Sequence, residues 1–175
     1  QAIMDNPHVI AFRSAQVLRN CRVSLETGRV DLVLLPKSGP KRLVLVEAKS
    51  SASHDAASKV IGQLLMYYSG ALQLGYTGLE ALGRYERENK IFARSTSTIS
   101  PKALSGGISP PEKAFDYLYR GKKLQPKDIA LFVAIDGSPH RALKPTIQSL
   151  YRIHQIDIGL IVVEGKRKIM TWHPA

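Results

Sequence analysis

The chain has 175 residues, the size of one compact domain, and its composition is 44% hydrophobic and 22% charged. This composition excludes a disordered tail, a collagen-like repeat and a coiled coil. The 25 Lys and Arg residues outnumber the 14 Asp and Glu residues, which gives a net charge of +11. A domain this basic usually works beside a polyanion, either nucleic acid or an anionic membrane surface. The alternative is a soluble protein that is merely basic.

Cysteine usage and hydropathy bear on the compartment. Cys21 is the one cysteine, so the chain cannot form an internal disulfide, which favours a reducing compartment. No apolar run reaches the roughly 18 residues that a membrane span requires. No signal peptide is visible either, because Asp5 and Asn6 interrupt the first residues. We therefore expect a cytoplasmic protein with no membrane partner.

The first third of the chain contains the clearest strand patterns. Helical spacing of apolar residues predicts an N-terminal helix over His8–Asn20, and alternation predicts a short strand at Cys21–Leu25. Two strongly apolar strands follow at Arg29–Leu35 and Arg42–Lys49, joined by the turn residues Pro36–Lys41. Strands this apolar are normally central in a sheet and covered on both faces.

A long helix and an atypical segment come next. The apolar spacing predicts a helix over Ala56–Leu74, with Gly75 as its C-cap. The segment Tyr76–Lys127 is rich in Gly, Ser, Thr and Pro and carries ten Lys and Arg residues. It shows little periodicity apart from a short helix around Glu112–Tyr119. We interpret it as an irregular basic insertion within a single domain that spans residues 1–175.

The last third returns to regular structure. The pattern predicts a buried strand at Ile129–Ile135 and a helix at Pro139–His154 with Ser138 as its N-cap. A strand at Ile158–Val163 and a hairpin strand at Arg167–Trp172 complete the chain. The order of elements predicts an α/β fold with a mixed central β-sheet flanked by helices.

Each of the two apolar strands contains one acidic residue that its neighbours do not explain, Asp31 and Glu47. Lys49 follows Glu47 by two residues and so projects from the same face of the strand. If the strands are neighbours, two carboxylates and an ammonium share a small volume, which suits Mg²⁺ and a phosphate substrate. The backbone carbonyl of Ala48 is a further candidate ligand. The alternative is a set of structural ion pairs, with Arg29 or Lys49 neutralising the acids.

These residues resemble a known nuclease motif. The run Gly28–Asp31 (GRVD), an apolar hairpin and then Val46–Lys49 (VEAK) is similar to the motif of the PD-(D/E)xK nuclease superfamily. Gln63 and Tyr67 lie four residues apart, on one face of the predicted helix. They match the QxxxY element of the branch that includes RecB-type nucleases. The resemblance covers residues 28–70, and the later strands are compatible with it.

The resemblance implies a fold, a reaction and a cofactor. The fold would have a restriction-endonuclease-like core, and the chain would hydrolyse DNA phosphodiester bonds to leave a 5′-phosphate and a 3′-hydroxyl. Asp31 and Glu47, with the carbonyl of Ala48, would hold Mg²⁺, for which Mn²⁺ can substitute. Lys49 would assist the attacking water.

The remaining implied residues shape the site or contact substrate. Gln63 would set the geometry of the site, and Tyr67 would support it or reach the DNA backbone. Arg29 is a further candidate contact to DNA. Many family members act as dimers, so a homodimer is compatible with the resemblance.

Two other functions stay open at this point. Many family members carry a further ligand on the first helix, but residues 13–20 contain no acidic residue. A catalytically inactive nucleic-acid-binding module that retains the nuclease-like fold is therefore the main alternative. A membrane-surface or scaffold protein is the other, although no predicted helix pairs a basic face with a bulky apolar one.

Other candidate sites have simpler explanations. Asp136 and His140 resemble an acid–base pair, but a turn at Asp136–Gly137 before a helix explains that stretch. His54, His154 and His173 lack metal-ligand spacing, and no phosphate-binding or dinucleotide-binding glycine motif is present.

Overall fold

A single six-stranded sheet organises the protein. The computed structural model describes residues 15–23, 28–36, 39–51, 56–88, 123–165 and 168–174. Its elements in chain order are β1 (Ala15–Arg22), β2 (Arg29–Pro36), β3 (Leu43–Ser50), α1 (Ala56–Glu88), β4 (Ile129–Asp136), α2 (Leu143–His154), β5 (Ile158–Glu164) and β6 (Lys168–Trp172). The predicted α/β class with a mixed sheet is confirmed.

The strand directions define two edges of the sheet. The strands lie in chain order, β1 to β6. Strand β2 runs antiparallel to both of its neighbours, β1 and β3. Strands β4 and β5 run parallel to β3, and β6 runs antiparallel to β5. We call the edge at which β3, β4 and β5 end the carboxyl edge, and the opposite one the amino edge. Strand β1 also ends at the carboxyl edge, and β2 begins there.

The strand residues separate into two apolar clusters. The larger cluster contains Leu43 and Leu45 of β3 together with the buried faces of both described helices, such as Leu64 and Ile147. The smaller cluster contains buried strand residues such as Val44 and, within the described residues, no helix residue. Both described helices therefore pack on the same face of the sheet, the face from which Glu47 and Lys49 project.

The predicted N-terminal helix is wrong for the residues that the structure describes. Residues 15–20 belong to β1, which pairs with β2 from Ala15↔Pro36 to Arg22↔Arg29. Val17 and Leu18 fit a short helix or a strand equally well. Pairing with the apolar strand β2 decides in favour of the strand, because tertiary contacts outweigh local spacing.

Gly75 ends a run of regular helix, as predicted, but the helix resumes beyond it. Gly75 adopts φ 60° and ψ −170°, a conformation that favours glycine. The chain continues as helix to Glu88, where the sequence had indicated an irregular insertion. Leu79, 1% exposed, joins the main core cluster. Residues 79–88 are also rich in the helix formers Leu, Glu, Ala and Arg, a local signal that the composition of the whole segment 76–127 concealed.

Helix α2 begins four residues later than predicted. The carbonyl of His140 accepts the N–H of Leu143 in the turn before the helix, and the N-cap is Ala142 rather than Ser138. Pro145 explains the difference. In a helix beginning at Pro139 it would be an interior proline, whereas in the observed first turn its missing N–H costs nothing.

Several predictions fall on residues that the structure does not describe. These are the part of the N-terminal helix before residue 15, the helix around 112–119 and residues 89–122 of the basic insertion. Among the described helices, none is long and apolar enough to cross a membrane.

Candidate active site

The site lies where β2 and β3 separate at the carboxyl edge. Their ladder pairs Leu32 with Val46, and the next positions along the two strands are Asp31 and Glu47. Beyond that pair, Oδ2 of Asp31 accepts the backbone N–H of Ala48 at 2.8 Å. A side-chain carboxylate thus replaces a strand carbonyl, and it holds the two acids side by side at the fork.

Glu47 is the buried acid of the pair, with 3% of its surface exposed. Its Oε1 accepts a hydrogen bond from Nζ of Lys49 at 2.8 Å. Its Oε2 is buried and has no hydrogen-bond partner. Burial raises the pKa of the Glu47 carboxyl, and the charge of Asp31 raises it further, while Lys49 opposes both effects. A buried carboxylate oxygen without a donor is costly unless a cation or a proton satisfies it.

Lys49 connects the buried acid to solvent. Its side chain lies on the same face as Glu47, two residues away, and is 27% exposed. An ammonium group has three N–H donors, and Glu47 takes one of them. Lys49 can therefore stay paired with Glu47 while its other donors reach a water molecule or a phosphate oxygen at the mouth of the site.

Gln63 and Tyr67 bring helix α1 onto this fork. Tyr67 is 2% exposed, and its hydroxyl donates to the backbone carbonyl of Arg29 at 3.1 Å. Burial raises the pKa of Tyr67, and the nearby charges of Glu47 and Asp31 add to it, whereas a hydrogen bond with Gln63 lowers it. Tyr67 therefore lies near both acids and is placed to support β2, and Gln63 bonds to Tyr67.

The support from Tyr67 has a measurable consequence. Tyr67→Phe should destabilise the fold by about 1 kcal/mol, because the Arg29 carbonyl loses its donor. The melting temperature should then fall by about 2–4 °C. Tyr68→Phe is the matched control, since the Tyr68 hydroxyl bonds to no described residue. Equal melting temperatures for the two variants would contradict this role.

Arg29 ties β1 to β2. Its Nη1 donates to the backbone carbonyl of Asn20 at 2.6 Å. Asn20 lies between the Arg19↔Leu32 and Cys21↔Val30 pairs and adopts φ 50°, a conformation that asparagine tolerates better than most residues. The structure therefore gives Arg29 a structural partner, and its contact with DNA stays a prediction. The sequence offered no signal for Asn20.

Asp136 supports the neighbouring strand end, a role the sequence analysis missed. Its Oδ1 accepts the backbone N–H of Ser51 at 2.7 Å, so it fixes the chain that leaves β3 two residues after Lys49. Nδ1 of His140 instead accepts the N–H of Ala142. Asp136 and His140 thus bond to different partners, in agreement with the interpretation of this stretch as a turn.

The acid pair could hold a hard cation only with help. Among the described residues, no three His, Cys, Asp or Glu side chains lie close enough together to hold a metal ion by themselves. A cation between Asp31 and Glu47 would therefore take its remaining ligands from a backbone carbonyl, such as that of Ala48, or from water and substrate. The unpartnered Oε2 of Glu47 fits such a cation.

Comparisons of the chain with protein-family models, with curated proteins and with solved structures find no match. The chemistry of the site is consequently argued from its own residues.

Proposed function

We propose that the protein is a metal-dependent DNA nuclease of the PD-(D/E)xK type, with a restriction-endonuclease-like core. The observation that carries the proposal is the grouping of Asp31, Glu47 and Lys49 at one fork, with one buried Glu47 oxygen left without a donor. A buried carboxylate such as that of Glu47 needs a reason. A divalent cation and a phosphate substrate together supply one.

The metal would be held by Asp31 and Glu47, with the carbonyl of Ala48 as a further candidate. When bound, Mg²⁺ or Mn²⁺ neutralises charge on the phosphate and lowers the pKa of a bound water. Neither acid acts as the general base, because both carboxylates would be ligands of the cation.

Lys49, as an ammonium, orients the attacking water and stabilises charge that develops on the phosphate. The water oxygen forms a bond to phosphorus and releases a proton to solvent, and the bond to the 3′ oxygen breaks. That oxygen takes up a proton from solvent, so the products are a 3′-hydroxyl and a 5′-phosphate. Glu47 aligns Lys49 through the 2.8 Å ion pair.

Gln63 and Tyr67 act on the geometry rather than on the reacting atoms. Tyr67 holds β2 through the Arg29 carbonyl, and Asp31 is two residues further along that strand. Gln63 contacts the Tyr67 hydroxyl and so fixes its direction. The net charge of +11 favours binding to the phosphate backbone, and this binding should weaken as the salt concentration rises.

The decisive experiment is a cleavage assay with the purified chain. Labelled single-stranded, duplex and branched DNA are each incubated with Mg²⁺, with Mn²⁺ and with EDTA. We expect cleavage with either metal, none in EDTA, and product ends that carry a 5′-phosphate. The absence of cleavage on all three substrates with both metals would overturn the proposal.

A nucleic-acid-binding module without activity is the second candidate, because the described residues supply only two carboxylates to the site. It predicts salt-sensitive DNA binding that Asp31→Ala leaves unchanged, and no heat on titration with Mg²⁺. The nuclease proposal predicts a measurable heat that Asp31→Ala removes.

A further inference from the structure

A second group of charges lies on helix α2 and in the turn before it, outside the acid fork. The sequence from residue 137 to residue 156 contains no acidic residue, and Arg141, Lys144 and Arg152 are all exposed. None of these three pairs with an acidic side chain in the described part of the chain. These cations are therefore available to a partner, which the cations already held in ion pairs are not.

Two of the three cations are poorly placed for the stability of α2. Arg141 and Lys144 flank the start of the helix, where the helix dipole disfavours positive charge, and the first turn contains no acid. Arg152 lies in the last turn, where positive charge is favoured. Charges retained against a local rule point to a role outside folding.

The sheet register relates these charges to the acid fork. Glu47 pairs with Val133, Val133 with Leu160 and Leu160 with Trp172, so the four residues form one row across β3 to β6. Nζ of Lys144 lies over the Trp172 ring, 5.6 Å from its centroid. Three strand spacings separate the ends of the row, about 14 Å, which is about four base-pair steps along a DNA strand.

Arg141 extends this group towards the carboxyl edge. It lies in the turn that follows Asp136, and Asp136 holds the chain leaving β3 through Ser51. The last residue of β4, from which this turn leaves, is thus bonded to the chain just after β3, two residues beyond Lys49. Lys144 lies over Trp172 on the face of the sheet that carries the fork, and the exposed Arg141 lies three residues before it in the turn beside the carboxyl edge.

We propose that Arg141 and Lys144 form a phosphate-contact strip that binds duplex DNA beside the cleavage site. The strip rests on the proposed nuclease function and adds to it a binding surface distinct from the acid fork. Its contacts would go to phosphates, so it contributes affinity and register without reading base sequence.

The test compares two double charge reversals that change the net charge equally. Arg141→Glu with Lys144→Glu alters the strip. Lys127→Glu with Arg152→Glu alters exposed cations of the amino edge, since residue 127 lies two residues before β4 and residue 152 lies in the last turn of α2. Both pairs are made in the Lys49→Ala protein and binding is measured in EDTA, so that the DNA is not cut. Binding of a fluorescein-labelled duplex is followed by anisotropy at several salt concentrations.

The strip variant should bind at least about tenfold more weakly, and its salt slope should fall by about 1.8, or 0.9 for each lost phosphate contact. The amino-edge variant should change affinity by less than about threefold, through long-range charge alone. The melting temperatures should follow the opposite order. The strip variant should melt at the same temperature as its parent or higher, and the amino-edge variant slightly lower. If the strip variant melts lower, Arg141→Gln with Lys144→Gln must show the same weakening of DNA binding.

Equal weakening by the two pairs, or no weakening by the strip pair, would overturn the proposal. If wild-type protein still cleaves DNA in that case, only the strip fails and the nuclease function stands. A Lys49→Ala parent that binds no duplex at all would overturn both.

Discussion

Lys49→Ala is expected to reduce the rate of DNA cleavage by at least about 100-fold, because a positioned proton donor or acceptor commonly contributes that much. The ammonium of Lys49 is bonded to buried Glu47 at 2.8 Å and remains 27% exposed. It is therefore the charged group of the fork best placed to reach both a water molecule and a phosphate. Single-turnover cleavage of a labelled duplex with Mg²⁺ measures the effect.

Lys168→Ala is the matched control for that measurement. Lys168 also forms a 2.8 Å ion pair with a glutamate, Glu164, but both side chains of this pair are exposed. Its removal should leave the cleavage rate within about twofold, since exposed ion pairs contribute little. Near-equal rates for Lys49→Ala and wild type would show that Lys49 does not act in the reaction. Circular dichroism of both variants establishes that each is folded.

Glu47→Gln is expected to abolish cleavage and, in EDTA, to stabilise the protein. The Glu47 carboxylate is 3% exposed and one of its oxygens lacks a donor, so removing its charge relieves a cost of about 1 kcal/mol or more. For a chain of this size, that corresponds to a rise in melting temperature of about 2–4 °C. Glu164→Gln is the control, because that side chain is exposed, and it should leave the melting temperature unchanged.

The pH dependence of this stabilisation has a definite sign. Burial and Asp31 raise the pKa of Glu47 above its ordinary value of 4.5. The folded protein therefore binds this proton more tightly than the unfolded chain does, and the stability that the proton contributes is lost as the pH rises through the raised pKa. The advantage of Glu47→Gln should be small below pH 4.5, grow above it and level off once the pH exceeds the raised pKa.

A divalent ion should reverse the order of stability. Saturating Mg²⁺ stabilises a protein that binds it by about 2.7 kcal/mol at 100 times its Kd, and Glu47→Gln should lose most of this gain. Thermal melts with Mg²⁺ and with EDTA, at pH 4 and at pH 7, separate the two effects. If the Glu47→Gln protein melts below wild type at pH 7 in EDTA, then the buried charge of Glu47 does not destabilise the metal-free protein, contrary to this prediction.

The placement of the acids and Lys49 on the two strands was predictable, because side chains in a strand alternate with a period of two. An acid in each of two apolar strands and a lysine two residues after one of them could be placed on one face without a structure. The turn residues between the strands predicted their pairing, and the ladder Leu32↔Val46 confirms it. Gln63 and Tyr67, four residues apart, likewise had to share a helix face.

Contacts between distant residues were not predictable in this way. The bond from Arg29 to Asn20 and that from Ser51 to Asp136 join side chains to backbone groups of other elements. Nothing in local composition marks such partners. The late start of α2 is different, because Pro145 was visible in the sequence, whereas the predicted start rested on Ser138 and Pro139 alone.

By itself, the sequence determined the α/β class, strands β2 to β6 and the position of Asp31, Glu47 and Lys49 on paired strands. These features depend on residue spacing and on the free energy of burying apolar side chains, which act locally along the chain. Only the tertiary structure decided that β1 is a strand, that Tyr67 is buried against Arg29, and that Glu47 has an oxygen without a donor. Burial and hydrogen bonding at a given atom depend on which distant elements meet there. The net charge of +11 indicated a polyanionic partner, and the fold places Lys144 on the same face of the sheet as the buried Glu47.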